Sequence, residues 1–323
     1  DDGYFGGRDK NGELVVNKKK FPSGMKALVN YIHAKGLRAG IYSDAGISTC
    51  GSIYDKDSNG IAAGLYGHVE ADCKRFFQDW KFDFLKVDWC GGEKLKLNEE
   101  TAYASIIDTV RAIDSNVVFN ICRWKFPGTW AIRLADSWSI SGDIDAKFSF
   151  ILHIIDLNAD LYKYASPGHY NDMDMLQVGR GMTYEEDKSH FSMWCMLNSP
   201  LLAGNDLRHM SKQTLEILTN RELIALNQDK GFVQARRLLR VADVEVWKKP
   251  LGNDGSNTCA IALLNRSDKE TTFQLNPDEI GLTSKSRMRD LWKHENLGRL
   301  GKQHSFFIPP HGIIVLKTNS PAN

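Results

Sequence analysis

The stretch Asp83-Phe84-Leu85-Lys86-Val87-Asp88-Trp89-Cys90 decides how the rest of the chain is read. Phe84, Leu85 and Val87 are strand formers in a run too short for a helix, so the stretch reads as a buried strand. Side chains two apart on a strand project to the same side, so Lys86 and Asp88 share one face. A cation and an anion on one face at the C-terminal end of a strand fit two readings. One is a structural ion pair closing the strand. The other is a catalytic pair at the top of a β/α barrel.

Working outward, strand and helix alternate on both sides of this stretch. Met25, Leu28, Val29 and Ile32 form an apolar helical stripe that Gly36 ends. Strands are expected near residues 38, 83, 117, 136, 169 and 200. Helices are expected from about His68 to Trp80, Glu99 to Ile113, Ala146 to Tyr164 and Glu185 to Leu197, with a last one ending near Asp229. Asp1 to Asp9 reads as a polar start and a loop. Such alternation predicts a parallel sheet of the (β/α)8 TIM-barrel kind. That barrel needs eight strands, so the first two are expected upstream of Asp1, which would place Asp1 and Asp2 at the top of strand two.

After about Gly231 the texture changes. Val241 to Trp247, Cys259 to Leu264 and Gly312 to Leu316 alternate, with turns such as Gly252-Asn253-Asp254-Gly255 between them. This predicts a small C-terminal antiparallel β domain of the sandwich kind. The expected domains are therefore residues 1–230 and 231–323.

Composition narrows the function classes. The 323 residues are 42% hydrophobic, with 25% charged residues and a net charge of +1. Nothing in that balance points to nucleic acid or a membrane surface, and no apolar run is long enough to span a bilayer. The six cysteines lack metal-ligand spacing, so no zinc or other metal and no cofactor is expected. The chain opens at Asp1 with no signal-peptide pattern, and an upstream segment is expected.

If strand ends converge on one face, that face collects Asp1, Asp2, Tyr42, Cys50, Lys86, Asp88, Arg123, Asp143 and Asp174. Two carboxylates across a cleft suit glycoside hydrolysis. Lys86 is expected to keep Asp88 ionised, as a nucleophile requires. Asp143 has no cationic neighbour in sequence and suits the carboxyl that must carry a proton. It also suits an N-cap of the helix that follows.

Together these stretches resemble glycoside hydrolase family 27, the α-galactosidases and α-N-acetylgalactosaminidases. The resemblance rests on Asp1-Asp2, Phe21 to Gly24, Gly40 to Gly46, Thr49-Cys50-Gly51, Leu85 to Asp88, Gly142-Asp143-Ile144, Asn171 to Met175, Asn205 to Arg208 and Ala225 to Asp229. It implies a retaining exo-glycosidase acting on terminal α-linked galactose, with Asp88 as nucleophile and Asp143 as acid/base. It implies that Asp1 and Asp2 bind O6 and O4 of the sugar, and that Tyr42, Lys86 and Asp174 line the pocket. A retaining mechanism implies catalytic carboxyls about 5–5.5 Å apart. The resemblance also implies a Cys50–Cys90 disulfide, and with it an oxidising compartment: secreted, periplasmic or lysosomal. The partner is a galactoside oligosaccharide or glycoconjugate, with no nucleic acid and no membrane insertion; homo-oligomerisation stays open.

The chain departs from the family pattern at the sugar's O2/O3 side. Arg123 stands where a glutamate is usual, and Ser139 where an arginine is usual. Arg123 is expected either to take over the missing arginine's sugar contact, to pair with Asp143 or Asp174, or to bind an anionic or bulkier group. On the first reading, Arg123→Glu with Ser139→Arg restores the family arrangement and its activity. A related glycosidase of altered specificity (α-N-acetylgalactosaminidase or β-L-arabinopyranosidase), a non-catalytic galactoside-binding barrel, and a metal-dependent glycosyltransferase using Asp172 and Asp174 remain the alternatives.

Overall fold

The computed structural model describes residues 2–252 and 257–319; Asp1, the side chain of Asp2 and most of the Gly252–Gly255 turn lie outside the described residues. The chain divides into two compact units, Asp1–Ser139 and Ile140–Asn323.

The first unit opens with two short strands, β1 (Phe5–Arg8) and β2 (Leu14–Val16), paired antiparallel. The sequence reading took Gly6 to Asp9 as a loop. The structure corrects that: Gly6 lets the strands close, since a Cβ there would sit 2.8 Å from the Val16 carbonyl carbon. Helix α1 (Gly24–Ala34) follows, burying Met25 and Val29 while Leu28 stays exposed. Then come β3 (Gly40–Asp44), α2 (Cys50–Tyr54), α3 (Val69–Lys74), β4 (Phe84–Asp88), α4 (Cys90–Lys94), α5 (Glu99–Ile113), β5 (Val118–Ile121), α6 (Ala131–Leu134) and β6 (Ser137–Ser139). Beyond α3 the helix continues with π geometry over Arg75–Asp79, so the expected helix to Trp80 holds in extent.

Strands β3, β4, β5 and β6 pair in parallel. Their register lines Ile41 up with Leu85 and Leu85 with Phe119, all buried. The opposite parity carries the polar residues: Tyr42 pairs with Lys86, Lys86 with Asn120, and Asn120 with Ser137. Strand alternation thus separates an apolar layer from a polar row that runs across four strands.

The second unit holds α7 (Phe148–Asn158), β7 (Tyr170–Asp172), α8 (Tyr184–Met196), α9 (Lys212–Leu218) and α10 (Arg221–Asn227). The strand expected near residue 200 is reduced to an isolated parallel bridge between Leu176 and Ala203. Helix α8 starts with a capping box, in which Thr183 and Glu186 each accept the other's backbone N–H. Eight antiparallel strands complete the unit: β8 (Arg236–Val241), β9 (Val244–Pro250), β10 (Thr258–Asn265), β11 (Thr271–Leu275), β12 (Arg287–Asp290), β13 (Glu295–Arg299), β14 (His304–Ile308) and β15 (Ile313–Asn319). Six form one sheet in the order β13-β12-β15-β10-β9-β8, and β11 pairs with β14. Val246, Ile261, Leu263, Ile308 and Leu316 share the buried core. Among the described residues, no helix is long and apolar enough to cross a membrane.

Candidate active site

In the first unit the polar row leads to Asp88 at the C-terminal end of β4. Its carboxylate is buried and accepts the Tyr42 hydroxyl at 3.0 Å and the Trp89 N–H at 3.2 Å. Burial raises the Asp88 carboxyl above its ordinary range; Lys86, the Tyr42 hydroxyl, the Trp89 N–H and the Cys122 side chain pull it back. The sequence reading weighed only the neighbouring lysine; burial acts on the carboxyl more strongly. Desolvation outweighs the cation because Asp88 is only 7% exposed. Tyr103 braces the strand from behind, its hydroxyl donating to the carbonyls of Val87 and Cys122 at 3.2 and 3.1 Å.

Cys50 and Cys90 are joined in a disulfide, whereas Cys73, Cys122, Cys195 and Cys259 are buried thiols. The Cys50 sulfur is therefore bound covalently rather than offered to a ligand. Asp44, Cys50 and Cys90 lie close enough together to suggest a metal cluster, but the disulfide removes both thiolates.

Arg123 has a carboxylate partner that the sequence reading did not consider. Its Nε donates to Glu99 Oε1 at 2.6 Å, and its guanidinium lies 5.7 Å from the Trp124 ring centre. Ser139 accepts the backbone N–H groups of Arg123 and Trp124 through one oxygen, at 2.8 and 3.0 Å. Trp124 itself is in the left-handed region, with φ 58°. The two departures from the family pattern are thus one local arrangement: the serine fixes the backbone whose side chain Glu99 holds.

In the second unit, Asp174 follows β7 in a left-handed conformation, φ 72°. Its carboxylate accepts the N–H of Ile144 at 2.9 Å and of Met175 at 2.6 Å. Asp174 therefore ties down the residue next to Asp143. Asp143 is exposed, and α7 is preceded by Lys147 as its N-cap residue, so Asp143 does not cap that helix.

A family model described as Alpha galactosidase A matches residues 1–229, and one described as Alpha galactosidase C-terminal beta sandwich domain matches residues 241–318. The chain belongs to the alpha-galactosidase family. Alpha-galactosidase A of Cellvibrio japonicus is 40% identical over 98% of this chain and 81% of its own. Alpha-galactosidase 2 of Arabidopsis thaliana is 40% identical over 94% of this chain and 74% of its own. The solved structure of alpha-galactosidase I from Mortierella vinacea matches with a TM-score of 0.86 at 31% identity, covering 98% of this chain and 85% of that one. The fold is the family's β/α barrel followed by an antiparallel β sandwich, and the chain is a glycoside hydrolase of the retaining class.

Two residues of the site's surroundings escaped the sequence reading. Glu99 was only the first residue of an expected helix, and only the fold brings it to Arg123. Asp44 lay inside a quoted motif without a role. It is fully buried and pairs in register with Asp88. Burial pushes its carboxyl up to about 7, the N–H groups of Gly46 and Gly91 oppose this, and the charge of Asp88 adds to the rise. The signal available in sequence was its parity with Tyr42, which puts both on the face of Asp88.

Proposed function

We propose that this chain is an α-galactosidase that removes terminal α-linked galactose with retention of configuration. In this reading Asp88 attacks the anomeric carbon and the aglycone oxygen leaves with a proton from Asp143. Asp143 then takes a proton from water as the water attacks the glycosyl-enzyme and frees Asp88. Tyr42 and Lys86 orient and electrostatically support the nucleophile, while Asp174 positions the backbone beside Asp143. Asp1 and Asp2 take O6 and O4 of the sugar. The reading requires the two catalytic carboxyls about 5–5.5 Å apart, the spacing of a double displacement.

The observation that carries it is Asp88: a buried carboxylate at a strand's C-terminal end, held by a tyrosine hydroxyl with Lys86 beside it. A carboxylate kept dry and oriented is a better nucleophile than a solvated one. Residues 1–230 form the catalytic domain in this reading and 231–323 the β domain, a division supported by the two family models. The disulfide supports folding in an oxidising compartment.

The test is a pair of variants assayed on aryl α-galactosides. Asp88→Ala should be inactive on every substrate. Asp143→Ala should keep the first step for good leaving groups, and azide should restore turnover by attacking the accumulated glycosyl-enzyme. Equal loss in both variants, with no rescue by azide, refutes the assignment.

A further inference from the structure

We propose that Asp44 is a positioning residue for the nucleophile, fastening the turn after β3 to the start of α4 and so fixing the strand end that carries Asp88. The inference rests on the reading of Asp88 above and adds a residue to its machinery.

Four observations meet at this point. Asp44 ends β3 directly beside Asp88, and its Oδ1 accepts the N–H of Gly46 at 2.6 Å and of Gly91 at 3.0 Å. Gly91 lies three residues beyond Asp88, so this bond reaches across to the nucleophile's own chain. The approach is possible only with glycine on both sides. A Cβ on Gly46 would fall 2.0 Å from the Gly91 carbonyl carbon, and one on Gly91 would fall 2.6 Å from Asp44 Oδ1. The Cys50–Cys90 disulfide spans the same junction, and Ala45 donates its N–H to the Asp88 carbonyl at 3.0 Å.

The chemistry is costly for a mere turn. Asp44 is 0% exposed, and among the described residues no cation forms a salt bridge with it. The groups acting on it are Asp88 from β4, Tyr103 from α5, the backbone N–H groups of Gly46, Cys90 and Gly91, and the neighbouring disulfide. A second carboxyl buried against the reacting one raises the energy of the pair, a cost that a serine or asparagine at the turn would avoid. What the carboxylate supplies is two oxygens on the Gly91 N–H, at 3.0 and 3.2 Å, which fix that amide from both sides. Removing this hold lets Asp88 drift from its line of attack, and a displacement near 1 Å can cost about 10²-fold in rate.

The experiment compares Asp44→Ala and Asp44→Asn with wild type on an aryl α-galactoside. It also measures the rate at which a fluorinated galactosyl fluoride traps the glycosyl-enzyme. Asp44→Ala should lower kcat and the trapping rate together by about 10²-fold with KM nearly unchanged, the split expected of a misplaced nucleophile. Asp44→Asn, which keeps the Oδ1 acceptor, should recover about half of that loss on a logarithmic scale. If Asp44→Ala does not fold, the near-isosteric Asp44→Asn decides: about tenfold lower kcat at constant KM supports the inference, and wild-type kcat overturns it. A rise in KM with kcat unchanged also overturns it. Peptide mapping separates the two claims. A trapped sugar on a residue other than Asp88 refutes the nucleophile, whereas a label on Asp88 with full kcat in Asp44→Ala refutes the positioning role alone.

Discussion

Exchanging the two unusual residues for the family's usual ones, Arg123→Glu with Ser139→Arg, should damage this protein rather than restore a standard pocket. From sequence the exchange looks neutral, because it moves one arginine from one strand to the next. The structure reverses that expectation. Glu99 approaches Arg123 within 2.6 Å, with the two side chains 26% and 13% exposed. A glutamate at 123 would set two carboxylates against each other, replacing a pair worth about 1–2 kcal/mol after screening with a repulsion of similar size. Losing the Ser139 hydroxyl would also leave the N–H groups of Arg123 and Trp124 without their acceptor, costing about 1–2 kcal/mol more. Trp124 already holds a left-handed backbone that needs outside support. The total, about 3–6 kcal/mol, should appear as a melting midpoint lower by roughly 4–9 °C in differential scanning calorimetry. Ser139→Ala alone should account for about a third of it. The kcat/KM on a simple aryl α-galactoside should fall with it, since β5, which leads into this backbone, pairs directly with β4 and its Asp88. A double variant as stable and as active as wild type would refute the reasoning, and would mean that Arg123 acts on the sugar and not through Glu99.

Three other outcomes follow from the packing. Removing the Cys50–Cys90 bond as Cys50→Ser with Cys90→Ser should cost about 4 kcal/mol by loop-closure entropy for a sequence separation of 40, read as a shift in denaturant midpoint. Arg8 reaches Asp72 through both terminal nitrogens, at 2.9 and 2.6 Å, with side chains 9% and 2% exposed; Arg8→Ala should therefore destabilise by about 3–5 kcal/mol in urea titration, because it leaves a buried carboxylate alone. His190 is wholly buried, and burial lowers it from 6.5 to about 3, so its native form is the neutral one. The unfolded state takes up the proton first, so this contribution to stability is intact above 6.5 and falls away as pH drops toward 3. Relative to His190→Gln, wild type should lose stability across that window, and a constant difference between pH 7 and 4 would contradict the assignment.

The chemistry was legible in the sequence wherever it depended on spacing along one strand. Tyr42, Lys86 and Asp88 could be placed on one face because alternation with period two is local and each strand is short. The antiparallel C-terminal domain was legible for the same reason. What the sequence could not supply was the neighbour from another element. Glu99 and Arg123 are 24 positions apart and meet because α5 opens near the end of β5. Asp44 meets Gly91 across 47 positions, on an approach that only two glycines allow. The surroundings of Asp88 were hidden in a related way. Lys86 is visible two residues away, whereas desolvation is a sum over everything packed around the carboxylate, and it is the larger effect. The error at β1 has the opposite sign. Gly6 to Asp9 was read as a loop, yet Gly6 is there for its missing side chain, so that Val16 can pair closely. A glycine or a carboxylate at a strand end thus carries its meaning in the atoms that approach it. That is why the buckle at Asp44 emerged only once the register of β3 on β4 was fixed, and why its test must separate placement of the nucleophile from binding of the sugar.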